Sequence, residues 1–130
     1  KRIIFTSKLP SLKQHLARYS LGDLGLDTFN YNGHATTSDA LWSGLPVITK
    51  IGKSYAARVS ASLLTSLGLE ELITTNNEDY EEKAFELASN PEKLIKLKSK
   101  LAELRETSAL YDSNLFTKNL EDKLREICLS

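Results

Sequence analysis

The sequence predicts an α/β fold: a parallel sheet of about four short strands flanked by helices, then a helical carboxyl-terminal segment. Three observations carry this. Short apolar runs alternate with helix-length stretches through residue 75. Capping and stop residues (Ser11, Gly44, Gly68) punctuate them. Beyond residue 76 the apolar residues recur only at helical spacing, as at Leu94, Leu97, Leu101 and Leu104. Residues 1–130 read as a single, partial domain, with 1–75 its α/β part and 76–130 its helical part.

The elements follow in order. "RIIF", residues 2–5, reads as a buried strand. Ser11 is placed to cap a helix running to Tyr19, with Leu12, His15, Leu16 and Tyr19 on one stripe. "LGLDTF", residues 24–29, is a second strand. Asn32-Gly33 reads as a tight turn, since both residues tolerate positive φ. Thr36 or Thr37 caps a short helix through Leu41 and Trp42, and Gly44 stops it. Trp42 is expected to pack toward the sheet, as tryptophan is usually well buried. "PVIT", residues 46–49, is the third strand. Residues 54–67 predict one long helix ended by Gly68, and "ELIT", residues 71–74, a short fourth strand. Asn77 is expected to cap a helix over 78–88. Asn90-Pro91 is a cap and first-turn pair for the next helix. The last helix carries Leu120, Leu124, Ile127 and Cys128 on one side.

Composition excludes several function classes. The chain has 17 basic and 17 acidic residues, without the basic bias of a nucleic-acid binder. Aromatic and basic residues do not interleave as they would on a single-strand platform. Cys128 is the only cysteine, so neither an internal disulfide nor a zinc cluster fits. No apolar run approaches the roughly 20 residues of a membrane span. The chain opens at Lys1 and contains no methionine, and it reads as a fragment of something longer.

The chemistry concentrates in "DTFNYNGHATTSDALWSGLPVIT", residues 27–49. A turn there leads His34, Ala35, Thr36 and Thr37 into a helix start. The free N–H groups and the helix dipole at such a start favour an anion, and small side chains let a phosphate reach the backbone. Asp39 lies one turn further in, where a carboxylate suits neutral hydroxyls, as on a ribose. The same residues also fit ordinary capping and turn roles, and His15 and His34 also fit ordinary helix and loop positions. Arg58 reads either as an exposed helix charge or as a cation bordering the same cleft, steadying its loop through Asp39 or Asp27.

"LDTFNYNGHATTSDALWSGLPVIT" followed by "ARVSASLLTSLGLEELI" resembles the catalytic region of the protein O-linked N-acetylglucosamine transferases and their SPINDLY-type relatives. These are GT-B glycosyltransferases, often joined to tetratricopeptide repeats. The likeness is dense over residues 26–73 and weak beyond them. It implies a Rossmann-like sheet, the carboxyl-terminal part of the UDP-sugar-binding domain. It implies a UDP-sugar donor, with N-acetylglucosamine the first expectation and fucose or glucose left open, and transfer to protein Ser/Thr. His34, Ala35 and Thr36 match diphosphate-contacting positions, and Asp39 the ribose-contacting carboxylate. Ala35 stands where the family usually has threonine, which puts one hydroxyl contact in doubt. His15 and Arg18 match positions beside the uracil, and Lys13, with Lys8 as the other candidate, matches a nucleotide-contacting lysine.

Inverting glycosyl transfer needs charge stabilisation on the leaving diphosphate. No Asp-x-Asp pair suggests a metal, so no metal or other cofactor is expected. The family's proposed bases and its remaining phosphate cation would lie upstream. The catalytic residues are not identified in this chain and are expected upstream, and the isolated chain is expected to be inactive. Its bare sheet edge makes self-association plausible. A cytoplasmic location is expected. The alternatives are a noncatalytic nucleotide-sugar-binding module and a helical protein-interaction domain.

Overall fold

The computed structural model describes residues 2–129. In chain order the elements are α1 (Leu12–Tyr19), β1 (Gly25–Leu26), α2 (Ala35–Trp42), β2 (Val47–Lys50), α3 (Val59–Ser66), β3 (Ile73–Thr74), α4 (Asn77–Ala88), α5 (Pro91–Thr107) and α6 (Ser113–Leu129). The strands form a parallel sheet in the order β1-β2-β3. Gly25 faces Val47 and Leu26 faces Ile48 on one side of β2, and Thr49 faces Ile73 and Lys50 faces Thr74 on the other. Val47, Ile48 and Thr49 are all buried, which explains the unbroken apolar run: helices cover a parallel sheet on both faces. Leu41, Ile48, Leu64, Leu69, Leu72 and Leu101 form the centre of the core.

The α/β class holds, with fewer and shorter strands than expected. Residues 2–5 form no strand, and Ile3, Ile4 and Phe5 are largely exposed. A strand exists only through ladder bonds to a neighbour, and among the described residues β1 is paired with β2 alone. The 24–29 run shortens to Gly25–Leu26, because Asp27 turns into the loop after one more backbone bond to Ile48. In the 71–74 run Glu70–Leu72 close a 3-10 turn, which leaves only Ile73 and Thr74 to pair.

The helix expected over 54–67 is broken. A 3-10 turn at Tyr55–Ala57 precedes α3, and Arg58 between them leaves helical geometry at φ −125° and ψ −9°. The cause is competition for carbonyls. Ala56 O accepts from Asn32 N and Ala57 O from Gly52 N, so neither serves a helical amide four residues on.

Helix ends follow the capping residues closely. Ser11 accepts from Gln14 N, and Asn90 accepts from Lys93 N ahead of Pro91. Gly44 and Gly68 end α2 and α3 at φ +84° and +63°. α4 is capped by Asn76 rather than Asn77, one residue earlier than expected.

Trp42 does not pack toward the sheet. It is 40% exposed, with Tyr111 edge-on at 4.9 Å and the Arg105 guanidinium 5.5 Å from its ring. α2 directs Thr37, Ala40 and Leu41 inward. The next residue lies about 100° further round the helix, which puts Trp42 on the flank. α6 buries none of its described residues, and Leu120 and Leu124 stay about half exposed.

Leu41→Ala should therefore cost about 2–5 kcal/mol, the range for a buried leucine. Trp42→Phe should cost under about 1 kcal/mol, as for a half-exposed site. Urea unfolding measures both, and equal losses would contradict this packing.

Candidate functional site

The carboxyl end of β1 feeds a loop that folds back on itself before α2 begins. Thr28 Oγ1 donates to Tyr31 O at 2.6 Å, Tyr31 N donates to Phe29 O, and Asn30 takes the positive φ, 57°. The expectation of a positive-φ turn at Asn32-Gly33 is corrected by this: Asn32 is instead a buried brace. Its N donates to Ala56 O at 2.8 Å and its Nδ2 to Thr28 O at 2.9 Å.

Gly33 then delivers the chain to the helix. Its N donates to Asp27 Oδ1 at 2.7 Å, and its carbonyl accepts from Ser60 Oγ at 2.9 Å. Ser60 has only one hydroxyl proton, so Thr37 Oγ1, 3.0 Å away, donates to Ser60 Oγ. A Cβ on Gly33 would collide with Thr37 Oγ1 and lie 2.8 Å from Thr36 Oγ1. Glycine is required here by close approach and not by backbone angle.

α2 starts at Ala35, and its cap position is His34, not Thr36 or Thr37. Threonine cannot cap here because both threonines already lie inside the first turn. His34 makes no side-chain cap bond. Among the described residues the N–H groups of Ala35, Thr36 and Thr37 have no protein acceptor. Ala35 and Thr36 are exposed, and Thr37 is buried. The His34 ring stacks on Tyr31 at 4.8 Å and meets the edge of Tyr55 at 6.0 Å. Its Nε2 lies 3.4 Å from Ala56 O, and a carbonyl only accepts, which assigns the ring proton to Nε2.

α1 brings a second group of side chains to the flank of α2. His15 Nε2 lies 3.7 Å from Asp39 Oδ2, with both side chains about one-third exposed. Arg18 Nη2 lies 3.1 Å from His15 Nδ1. Arginine only donates, so Nδ1 is the bare nitrogen and Nε2–H faces Asp39. Arg18 Nη1 also holds Thr6 Oγ1 at 3.0 Å and Ser7 O at 3.2 Å, drawing the irregular amino-terminal segment onto α1. Lys8, Ser11, His15 and Arg18 line a hollow of about 440 Å³. Lys13 is exposed and absent from it, because two positions along a helix place it about 200° from His15. A smaller hollow of about 210 Å³ lies between β1 and α2, bordered by Tyr19, Asp27, Gly33 and Thr36.

Arg58 is exposed. It donates to Gly52 O at 3.2 Å and forms no ion pair with Asp27 or Asp39. It steadies its loop through a carbonyl instead. It borders a separate, mostly apolar hollow of about 580 Å³ along α3, with Tyr55 and Ser62.

Matches to known proteins decide the family. The glycosyl transferase family 41 model matches residues 1–120. The chain belongs to glycosyl transferase family 41. It is 42% identical over 113 residues to a probable UDP-N-acetylglucosamine–peptide N-acetylglucosaminyltransferase SPINDLY of Solanum lycopersicum, a stretch that covers 87% of this chain and 12% of that protein. It is 34% identical over 126 residues to the Caenorhabditis elegans UDP-N-acetylglucosamine–peptide N-acetylglucosaminyltransferase, covering 97% of this chain and 11% of the relative. A Thermobaculum terrenum O-GlcNAc transferase mutant superposes with a TM-score of 0.86 at 36% identity, over 93% of this chain and 23% of that one. The chain thus spans only about an eighth of the length of these curated family 41 relatives.

Among the polar residues beneath the 27–49 stretch, sequence reasoning did not single out Ser60 or the Thr49 hydroxyl, and it gave Asn32 and Thr37 turn and helix-start roles only. Asn32, Thr37, Thr49 and Ser60 are buried. Thr49 Oγ1 donates to Asp27 Oδ2 at 2.6 Å, and Thr74 Oγ1 donates to Thr49 O at 3.1 Å. The available signal was threonine at the end of two otherwise apolar strands. Tyr80 of α4 completes the seam by donating to Asp27 O at 3.0 Å.

Burial, and next the charge of Asp27, pushes the Tyr80 phenol up from 10.0 to about 12. A folded-state value raised this way gives stability that is complete below the ordinary value and lost as pH rises toward 12. Tyr80→Phe should lower stability at neutral pH but weaken its fall between pH 10 and 12. Melting temperatures across that window check it, and an unchanged alkaline slope would show that Tyr80 does not carry the effect.

Proposed function

We propose that this chain supplies the donor-binding part of a UDP-sugar-dependent glycosyltransferase that transfers a sugar, N-acetylglucosamine by the names of its relatives, to protein Ser/Thr. One observation carries the reading: the α2 start presents three N–H groups without protein acceptors, and Asp39 with its His15 and Arg18 neighbours lies one turn away on the same flank.

The proposed roles follow from that chemistry. The amides of Ala35, Thr36 and Thr37, with the positive end of the α2 dipole, hold the diphosphate and stabilise the charge it gains as leaving group. Ala35 contributes its amide and no hydroxyl. Thr36 Oγ1 is a further donor. Asp39 accepts from the two ribose hydroxyls. The α1 hollow with His15 and Arg18 takes the base, with Lys8 closer to it than Lys13. No metal has a part in this scheme, and the groups that activate the acceptor hydroxyl lie outside this chain. A cytoplasmic setting suits acceptors of this kind.

Titration of the isotope-labelled chain with UDP should move the amide resonances of residues 34–39 first. Asp39→Ala should weaken binding by about 1–3 kcal/mol, the range for hydrogen bonds to a charged group. Removing divalent metals with EDTA should leave the affinity unchanged. An Asp39→Ala chain that folds and binds UDP normally would remove Asp39 from the site. Silence at residues 34–39 throughout the titration would favour a protein-interaction module.

A further inference from the structure

The Asp27 carboxylate has three partners and no cation. Oδ1 accepts from Thr28 N at 2.9 Å and Gly33 N at 2.7 Å, and Oδ2 accepts from Thr49 Oγ1 at 2.6 Å. Among the described residues no lysine, arginine or histidine pairs with it. Its backbone is held as firmly: the N donates to Ile48 O at 3.1 Å and the O accepts from Tyr80. Thr49, its anchor, is fully buried in the central strand, and the Thr49 carbonyl is itself held by Thr74. One side chain thus links the rigid sheet to the last residue but one before α2.

An uncompensated carboxylate beside an anion-binding helix start opposes the anion electrostatically. Its presence there calls for a geometric reason. A carboxylate is acceptor-only, and its two oxygens can receive donors from opposite sides. Here those sides are the sheet and the loop. The cost of holding the charge half-buried is offset by three hydrogen bonds to it.

We propose that Asp27 is a positioning residue for the donor phosphate: it fixes Gly33, and so sets where the open amides of Ala35, Thr36 and Thr37 point. This inference rests on the donor-site reading above. Asp27 touches no donor atom in this scheme and acts only through the loop.

The distinguishing experiment compares the full chain with Asp27→Ala, Asp27→Asn and Thr49→Val. It reads UDP affinity by titration and amide hydrogen exchange by residue. Asparagine keeps an acceptor for Gly33 and offers an N–H to the Thr49 hydroxyl, which can rotate to accept it. Asp27→Asn should therefore bind UDP within about threefold of the parent. Asp27→Ala should lose at least about tenfold, and its exchange should speed up at residues 33–37 more than in β2 and α3. A merely structural aspartate would raise exchange everywhere together. If Asp27→Ala does not fold, Thr49→Val decides: it should weaken UDP by about threefold or more with the same local exchange pattern. A parent chain that does not bind UDP overturns the donor-site reading and this inference with it. A parent that binds, beside folded Asp27→Ala or Thr49→Val chains that bind equally well, overturns the inference alone.

Discussion

A parallel strand that ends beside a helix start leaves a backbone problem. The strand's last amides and carbonyls lose their ladder, and the helix's first amides have no internal partner. In this chain β1 ends at Leu26 and α2 begins at Ala35, and the loop between them is held by the Asp27 carboxylate, which bonds Gly33 N on the loop and Thr49 Oγ1 on β2. The surrounding polar groups complete that arrangement. Ser60 ties the Gly33 carbonyl to α3, Asn32 ties the loop to the 3-10 turn, and Tyr80 ties Asp27 to α4.

The proposed donor site is made mainly of backbone. Its donors are the amides of α2, so residue identity at their positions matters less than size and placement. Alanine at position 35 fits that view: it offers no hydroxyl and keeps its amide. Gly33 is the contrary case, because the space a side chain would need is filled by Thr36 and Thr37. The side-chain part of the site comes from α1, where Arg18 fixes the tautomer of His15 and His15 faces Asp39. The consecutive helices α1 and α2 thereby meet beside β1 at one edge of the sheet.

Much of this was legible without coordinates. Several capping residues placed helix ends to within a residue, since a cap works through bonds to amides two or three positions away and depends little on the rest of the fold, whereas α2, capped at His34, and α3, which starts only at Val59, did not follow the expected caps. Ser11, Asn90-Pro91, Gly44 and Gly68 all act where local chemistry puts them. Residues 34–39 drew notice as a candidate site because small, polar and acidic residues in that order are unusual between two apolar runs, although the cap is His34 and not a threonine. Strand lengths were not legible, and neither was the break at Arg58. Both depend on which distant group takes a given carbonyl, as Asn32 takes Ala56 and Gly52 takes Ala57.

The sequence by itself determined the α/β alternation, several cap and stop positions and the likeness to the family, because each is written in neighbours a few positions apart. Only the tertiary structure decided that residues 2–5 stay unpaired and that Trp42 lies on a flank. It also decided that Arg58 serves a carbonyl and that Asp27 holds the loop. The last two turn on partners from 6 residues away, Arg58 and Gly52, to 53 residues away, Tyr80 and Asp27. A residue's type fixes which bonds it can make, and the fold alone fixes which partner arrives to make them.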